Sequence, residues 1–189
     1  MTLSIVDTHA HLDMDSFSGD RPEVLARALD SGVGKIITVG IDLESSKKAI
    51  KLAEDNAGLF ATVGFHPHDA IGVNEQDIAE LGRIADHPRV VAAGEMGLDF
   101  YRNRSPRDAQ LQVFQWQLEL AVKLELPVII HCRQAEDDML TILHDWTSCH
   151  AAPEGRPRGV IHCFNGDTNT ARQYLEMDFF IALGAYVSY

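Results

Sequence analysis

Short apolar runs alternate with longer amphipathic segments along the whole chain. The runs are rich in valine and isoleucine, which is typical of buried strands, and the segments between them have helical spacing of their apolar residues. Strands that alternate with helices indicate a parallel sheet, because parallel strands need a long crossover connection. The predicted strands are 3–9, 35–40, 59–66, 90–99, 127–132, 159–164 and 179–188, and the predicted helices are 21–31, 44–56, 75–86, 106–125, 134–146 and 168–177.

The composition fits one globular domain over residues 1–189, with 46% hydrophobic and 23% charged residues. No apolar run reaches the roughly 18 residues of a membrane span, and the start lacks the basic and apolar regions of a secretory signal. The three cysteines, Cys132, Cys149 and Cys163, form no CxxC pair. An odd, unpaired set fits a reducing compartment, so we expect a cytoplasmic protein.

Titratable side chains stand at the carboxyl ends of the predicted strands. In a parallel α/β barrel these ends meet at one mouth, where the active sites of such enzymes lie. A hydrogen-bonded or solvated strand-end histidine explains any one of these positions equally well, but five placements in register make chance a poor explanation. In chain order the residues are His9 and His11, His66 and His68, Glu95 and Asp99, His131, and His162.

Imidazole nitrogens and a carboxylate are the ligands that Zn²⁺ and Mn²⁺ bind in proteins. On a strand, His9 and His11 point to the same face, which indicates either a metal site or a hydrated strand end. A carboxylate such as Glu95 can bridge two ions about 3.5–4 Å apart, as in many two-metal hydrolases. Cys132 and Cys163 each follow a candidate ligand and are predicted to face away from it as packing residues.

The formal net charge of −12 argues against a broad basic surface that grips duplex DNA. It leaves a phosphodiester substrate possible, because bound divalent cations supply a local positive field. Any nucleic acid would therefore be held at the metal centre and by a few arginines. The sequence contains no GxSxG elbow, Walker loop or GxGxxG motif, which excludes the common signatures of serine hydrolases and of nucleotide binding.

Five motifs in series resemble the TatD family of metal-dependent deoxyribonucleases, within the amidohydrolase superfamily. The motifs are DTHAHLD, GFHPHDA, AAGEMGLDFY, PVIIHCRQA and GVIHCFNGD. The HxH pair alone is a weak signal, whereas five motifs in order over essentially the whole chain are highly specific. The resemblance implies a TIM-type (β/α) barrel that hydrolyses DNA phosphodiester bonds, with 3′–5′ exonuclease action on single strands. It also implies two divalent ions (Mg²⁺, Mn²⁺ or Zn²⁺), and neither a membrane nor an obligate protein partner.

The same resemblance implies a division of the metal ligands. His9 and His11 would bind one cation, and His131 and His162 would bind the second. Glu95 would bridge the two.

Three residues are expected to be catalytic on this basis: Glu95 at the ions, and His66 and Arg133 near the substrate phosphate. Tyr101 and Arg102 follow the fourth strand. For these two residues a nucleotide contact and a solvated loop position remain equally good interpretations.

The sequence departs from the family pattern at its carboxyl end. Family members continue through a further helix and an eighth strand ending in ETDxP, whose aspartate completes the first metal site and could take the proton of the attacking water, whereas this sequence ends at Tyr189. We therefore expect an incomplete barrel with about seven of its eight strands, and the first and seventh strands as open edges. Weaker metal binding beside His9 and His11 and poor activity are expected as well. Two alternatives stay open: an amidohydrolase acting on an amide, a lactone or a small phosphoester, and a non-catalytic remnant.

Overall fold

The structure is a computed structural model that describes residues 5–152 and 154–184. Its strands form one parallel sheet in which each strand neighbours the next along the chain, the winding of a (β/α) barrel. This confirms the predicted alternation of strands and helices. The strands are β1 Ile5–Ala10, β2 Val33–Val39, β3 Leu59–Val63, β4 Val90–Asp99, β5 Val128–Arg133, β6 Gly159–Ile161 and β7 Phe179–Ile181.

Six helices connect the strands, with bounds shifted by at most a few residues from the predicted ones. Two of them begin at capping boxes, which satisfy backbone N–H groups that have no partner inside the helix. Asp42 accepts the Ser45 N–H at 2.7 Å, and Asn74 accepts the Gln76 N–H at 2.8 Å. The helices are α1 Arg21–Asp30, α2 Leu43–Asp55, α3 Glu75–Ala85, α4 Arg107–Lys123, α5 Glu136–Cys149 and α6 Thr168–Glu176.

Three predicted strands are longer than the observed ones. β3 ends at Val63 and is followed by a 3₁₀ turn at Pro67–Asp69, and β6 ends at Ile161, two residues before Cys163 with its left-handed φ of 49°. β7 ends at Ile181, and the predicted continuation over 185–188 lies outside the described residues, as do residues 3 and 4 of the first predicted strand.

A large apolar core lies between the sheet and the helices. Met96, Leu98 and Ile130 of β4 and β5 pack against Phe114 and Leu118 of α4, and all five are almost fully buried. On the opposite face of the sheet a smaller apolar cluster contains Val39, Ala92 and Ile129. Because both faces of the sheet are covered by apolar residues, the central strands read as nearly continuous apolar runs.

Glycine is required at Gly97, beside the strand ends that carry the candidate site. Its φ is 141°, and a Cβ atom there would lie 2.0 Å from the carbonyl oxygen of its strand partner His131. The absence of a side chain lets β4 lie against β5 at this point.

β1 and β7 occupy the two ends of the strand order, as predicted for the open edges. Within the described residues, β1 pairs with β2 and β7 pairs with β6, and apolar side chains such as Ile5 and Phe180 are exposed at these edges. Among the described helices, none combines the length and the apolar character needed to cross a membrane.

Candidate metal centre

The carboxyl ends of the strands enclose a cavity of about 430 Å³. Every residue predicted as a ligand or catalytic group lines it, although these residues come from distant parts of the sequence. The parallel winding of the sheet explains the convergence, since all carboxyl ends lie at one edge. The predicted residues at the cavity are His9, His11, His66, Glu95, His131, Arg133 and His162.

Glu95 lies at the centre of the cavity and is 3% exposed. Its Oε2 is 3.3 Å from His9 Nε2 and 3.8 Å from His11 Nε2. Its Oε1 is 3.1 Å from His131 Nδ1 and 3.9 Å from His66 Nε2. Burial alone would raise the pKa of Glu95, but hydrogen bonds with His131 and His9 hold it well below its usual range. The carboxylate is therefore charged, and each of its oxygens faces a different pair of histidines.

Two groups of three potential ligands share Glu95. One consists of His9, Glu95 and His162, and the other of His66, Glu95 and His131; within each group the ligand atoms all lie within 4.8 Å of one another. His162 thus lies beside His9, whereas the resemblance pairs it with His131. The division of the ligands between two ions stays a prediction, but in both arrangements Glu95 is common to the two sets.

Hydrogen-bond partners show which nitrogen of the His11 and His131 rings faces the cavity and could bind a cation. His11 Nδ1 is 3.1 Å from the carbonyl oxygen of Val39, and a carbonyl can only accept, so Nδ1 carries the proton and Nε2 has the lone pair. Both nitrogens of His131 face carboxylates: Nε2 is 3.1 Å from Asp99 Oδ2 and Nδ1 is 3.1 Å from Glu95 Oε1, so in the metal-free protein both carry protons. His11 Nε2 and His131 Nδ1 face the cavity, and they are the nitrogens that a cation would bind, the latter in exchange for its proton.

In His66, unlike in His11, the ring nitrogen that faces the cavity carries the proton of the neutral ring. Its Nδ1 accepts the backbone N–H of His68 at 3.1 Å, so the proton of the neutral ring is on Nε2, which faces Glu95. Burial lowers the pKa of His66 to about 3, which keeps the ring neutral at physiological pH. His66 therefore presents an N–H donor to the cavity, and this suits an oxygen of a substrate better than it suits a cation.

The remaining donors fit divalent cations. His9 Nε2 and His11 Nε2 approach to 3.2 Å, a contact that requires a shared proton or a cation between two lone pairs. Burial lowers the pKa of His162 to about 4, so this ring is neutral as well. Imidazoles around one charged carboxylate are a donor set of the kind that binds zinc or manganese.

An aromatic and cationic rim borders the cavity. The guanidinium carbon of Arg133 lies 4.0 Å from the ring centroid of Tyr101, and that of Arg102 lies 5.9 Å from it. Tyr101 is 53% exposed. The rim therefore offers an aromatic ring face and positive charge next to the histidines. Both the nucleotide contact and the solvated loop position considered for Tyr101 and Arg102 are compatible with this arrangement.

Two further polar residues support the cavity. The sequence pattern places Asp99 among the strand-end residues without giving it a ligand or catalytic role, and it does not single out Gln117. Asp99 is 1% exposed and contacts both His131 and His68 through Oδ2. Gln117, also 1% exposed, bonds both the N–H and the carbonyl of Phe65, next to His66. The spacing of Glu95 and Asp99, four residues apart on one strand, was a usable signal for Asp99. No comparable signal marked Gln117, whose partner Phe65 follows the end of β3 and is distant in sequence.

Cys132 packs against the core between sheet and helices, as predicted, and it also borders the cavity. Burial raises the pKa of its thiol to about 12. Cys163 follows the end of β6 with a left-handed backbone and borders the cavity, so strand alternation does not determine its direction.

Comparisons with known proteins agree with this geometry. A family model described as TatD related DNase matches residues 6–189. The uncharacterized metal-dependent hydrolase YabD of Bacillus subtilis is 38% identical over 187 residues, covering 98% of this chain and 70% of YabD. The 3′-5′ ssDNA/RNA exonuclease TatD of Cronobacter turicensis is 38% identical over 181 residues, covering 96% of this chain and 66% of that protein. The chain thus spans about two thirds of the length of these relatives.

A solved structure shows the same fold. The TatD homolog YjjV of Escherichia coli K12 superposes with a TM-score of 0.89 at 30% identity, covering all of this chain and 71% of YjjV.

Proposed function

The chain belongs to the TatD family of DNases, and from this premise we propose that it hydrolyses phosphodiester bonds of DNA by a mechanism that uses two divalent ions. One observation carries the proposal: the two oxygens of the buried Glu95 face separate sets of histidines in one cavity. A carboxylate in that position is suited to bridge two cations. The substrate is single-stranded DNA or a 3′ end, in line with the name of the Cronobacter relative.

The ligand atoms in the proposal are Glu95 with His9, His11 and His162 on one side and with His131 on the other. Bound divalent cations supply the positive charge and the activation of water that phosphodiester hydrolysis needs at neutral pH. Imidazole donors favour Mn²⁺ or Zn²⁺ over Mg²⁺, which prefers oxygen ligands.

His66 and Arg133 bind the phosphoryl oxygens in the proposed mechanism. His66 directs an N–H into the cavity and is neutral, so it donates a hydrogen bond without competing with the cations for charge. Arg133 adds a permanent positive charge at the rim, and its planar fork matches two phosphoryl oxygens.

The rim at Tyr101 supports a nucleic-acid substrate over a small ester. A base can stack on an exposed aromatic ring, and such stacking tolerates any base sequence. The acidic protein, with a net charge of −12, binds a strand locally at this rim and at the cations, not over a wide surface.

The test compares the wild-type protein with Glu95→Gln on a 5′-labelled single-stranded DNA, with Mn²⁺, and with a lactone and a dipeptide in parallel. We expect shortening of the DNA from its 3′ end, no turnover of the other two compounds, and loss of at least 10³-fold in rate for Glu95→Gln. Glu54→Gln, an exposed glutamate outside the cavity, is the control and should retain full activity.

Turnover of the lactone or the dipeptide in place of DNA would replace the proposal with another amidohydrolase activity. A wild-type protein that binds no Mn²⁺ in a calorimetric titration would indicate a non-catalytic remnant.

A further inference from the structure

The carboxylate of Asp99 contacts three separate elements at the mouth of the barrel. Its Oδ2 accepts from His131 Nε2 on β5 at 3.1 Å and from His68 Nε2, in the 3₁₀ turn after β3, at 2.8 Å. Its Oδ1 accepts the backbone N–H of Arg102, in the loop after β4, at 2.7 Å. One buried side chain therefore joins the ends of three strands.

The backbone of Asp99 is fixed as firmly as its side chain. Gln110 of α4 accepts the Asp99 N–H at 2.8 Å and donates to the Asp99 carbonyl at 3.2 Å and to that of Ser105 at 2.9 Å. Ser105 Oγ donates in turn to the carbonyl of His68 at 2.8 Å. A carboxylate held at both ends can impose an orientation on its partners, because it loses little entropy in doing so.

We propose that Asp99 is a positioning residue, which holds the His131 ring with Nε2–H directed to the Asp99 carboxylate and Nδ1 directed to Glu95 and the cavity, where a cation would bind. The inference rests on the proposed function, since it takes His131 as a metal ligand. A carboxylate behind a ligating histidine fixes the tautomer and the ring orientation and raises the basicity of the ligating nitrogen. The two contacts of His131, to Asp99 Oδ2 and to Glu95 Oε1 at 3.1 Å each, lie on opposite nitrogens of the ring, as this role requires.

Asp99 also acts on His66, one step further away. It accepts from the ring of His68, whose backbone N–H donates to His66 Nδ1 at 3.1 Å. His68 thus links the carboxylate to the residue that presents an N–H donor to the cavity. Asp99 thus orients Nδ1 of His131 and, through His68, the Nε2–H of His66, and both of these nitrogens face Oε1 of Glu95.

The first experiment is a calorimetric Mn²⁺ titration of the wild-type protein, Asp99→Asn and Glu54→Gln, without nucleic acid. Asp99→Asn keeps the shape of the side chain but removes the charge, and its Kd should rise 10- to 100-fold. The matched control, Glu54→Gln, removes the carboxylate from an exposed pair, Glu54 with His87 Nε2 at 3.2 Å, and should leave the Kd unchanged. A wild-type Kd for Asp99→Asn overturns the inference.

The second experiment needs no variant, so it stands even if Asp99→Asn does not fold. The wild-type protein with ¹⁵N-labelled histidine is loaded with Zn²⁺, and the long-range ¹H–¹⁵N correlations of His131 are recorded. We expect the proton on Nε2 and the zinc-dependent shift on Nδ1, and a proton on Nδ1 overturns the inference. A purely structural role for Asp99 would lower the urea midpoint of the variant but leave the Kd unchanged.

The two proposals fail separately. A wild-type protein that binds Mn²⁺ but cleaves no DNA, together with a raised Kd for Asp99→Asn, overturns the proposed function and supports the positioning role. A wild-type protein that cleaves DNA, together with an unchanged Kd for Asp99→Asn, supports the proposed function and overturns the positioning role.

Discussion

The imidazole rings of His9 and His162 are stacked, with centroids 3.4 Å apart and planes 11° from parallel, although the residues lie near opposite ends of the chain. β1 and β6 are not neighbours in the sheet, so this contact spans the mouth of the barrel. It brings His162 into the ligand group of His9 and leaves His131 on the other side of Glu95.

Two separate ligand groups predict separable metal binding. We expect His162→Ala and His131→Ala each to lose one of two Zn²⁺ ions per chain, and Glu95→Ala to lose both, because only Glu95 belongs to both groups. Equilibrium dialysis with metal analysis gives the stoichiometry, and His87→Ala, outside the cavity, is the control. Two retained ions in His162→Ala would contradict the grouping.

Gln117 should contribute strongly to stability. It bonds both the N–H and the carbonyl of Phe65, at 2.7 and 3.0 Å, and Gln117→Leu leaves both groups buried without a partner. Each such group costs about 1–3 kcal/mol, so the free energy of unfolding in urea should fall by roughly 2–6 kcal/mol. Gln115→Leu, exposed on the same helix, should change it by less than about 0.5 kcal/mol. Similar losses in the two variants would argue against this role.

The stability of the metal-free protein should rise with pH between about 5 and 6.5. Burial lowers the pKa of His66 to about 3 and that of His162 to about 4, so below the ordinary pKa of about 6.5 the unfolded chain binds protons that the folded chain does not. Each histidine adds a slope of up to about 1.4 kcal/mol per pH unit. His131 acts in the opposite direction. Burial alone would lower its pKa, but its hydrogen bonds with Glu95 and Asp99 outweigh burial and raise it. His131 therefore stabilises the folded protein below pH of about 6.5, and this contribution is lost as the pH rises through its folded-state pKa.

Urea denaturation in EDTA at several pH values measures this slope. His66→Gln should flatten it, whereas His144→Gln, a largely exposed histidine, should leave it as in the wild type. An unchanged slope in His66→Gln would show that the ring is not buried in its neutral form.

The cysteines should differ in reactivity. Burial raises the pKa of Cys132 to about 12, so almost no thiolate is present at pH 8, while Cys149 is exposed at the end of α5. Iodoacetamide at pH 8 should modify Cys149 and spare Cys132 in the folded protein, as read by peptide mass spectrometry. Both should react in urea. Fast modification of Cys132 in the folded state would contradict its role as a buried packing residue.

The sequence alone determined the class of fold and predicted which residues meet at the strand ends. Strand and helix periodicity is a local property, so the alternation and nearly every helix bound could be predicted. Because parallel strands share one edge, residues at their carboxyl ends had to converge, and Glu95, His131 and the other predicted residues line a single cavity.

Only the tertiary structure decided how those residues pair. The stacking of His162 on His9, the donor polarity of His66 and the contact of Asp99 with His131 depend on sheet curvature, on side-chain rotamers and on hydrogen bonds between distant elements. Strand periodicity fixes the face to which a side chain points, but not which ring nitrogen donates its proton to a neighbouring carbonyl or carboxylate. That choice is made by atoms brought together only when the barrel forms.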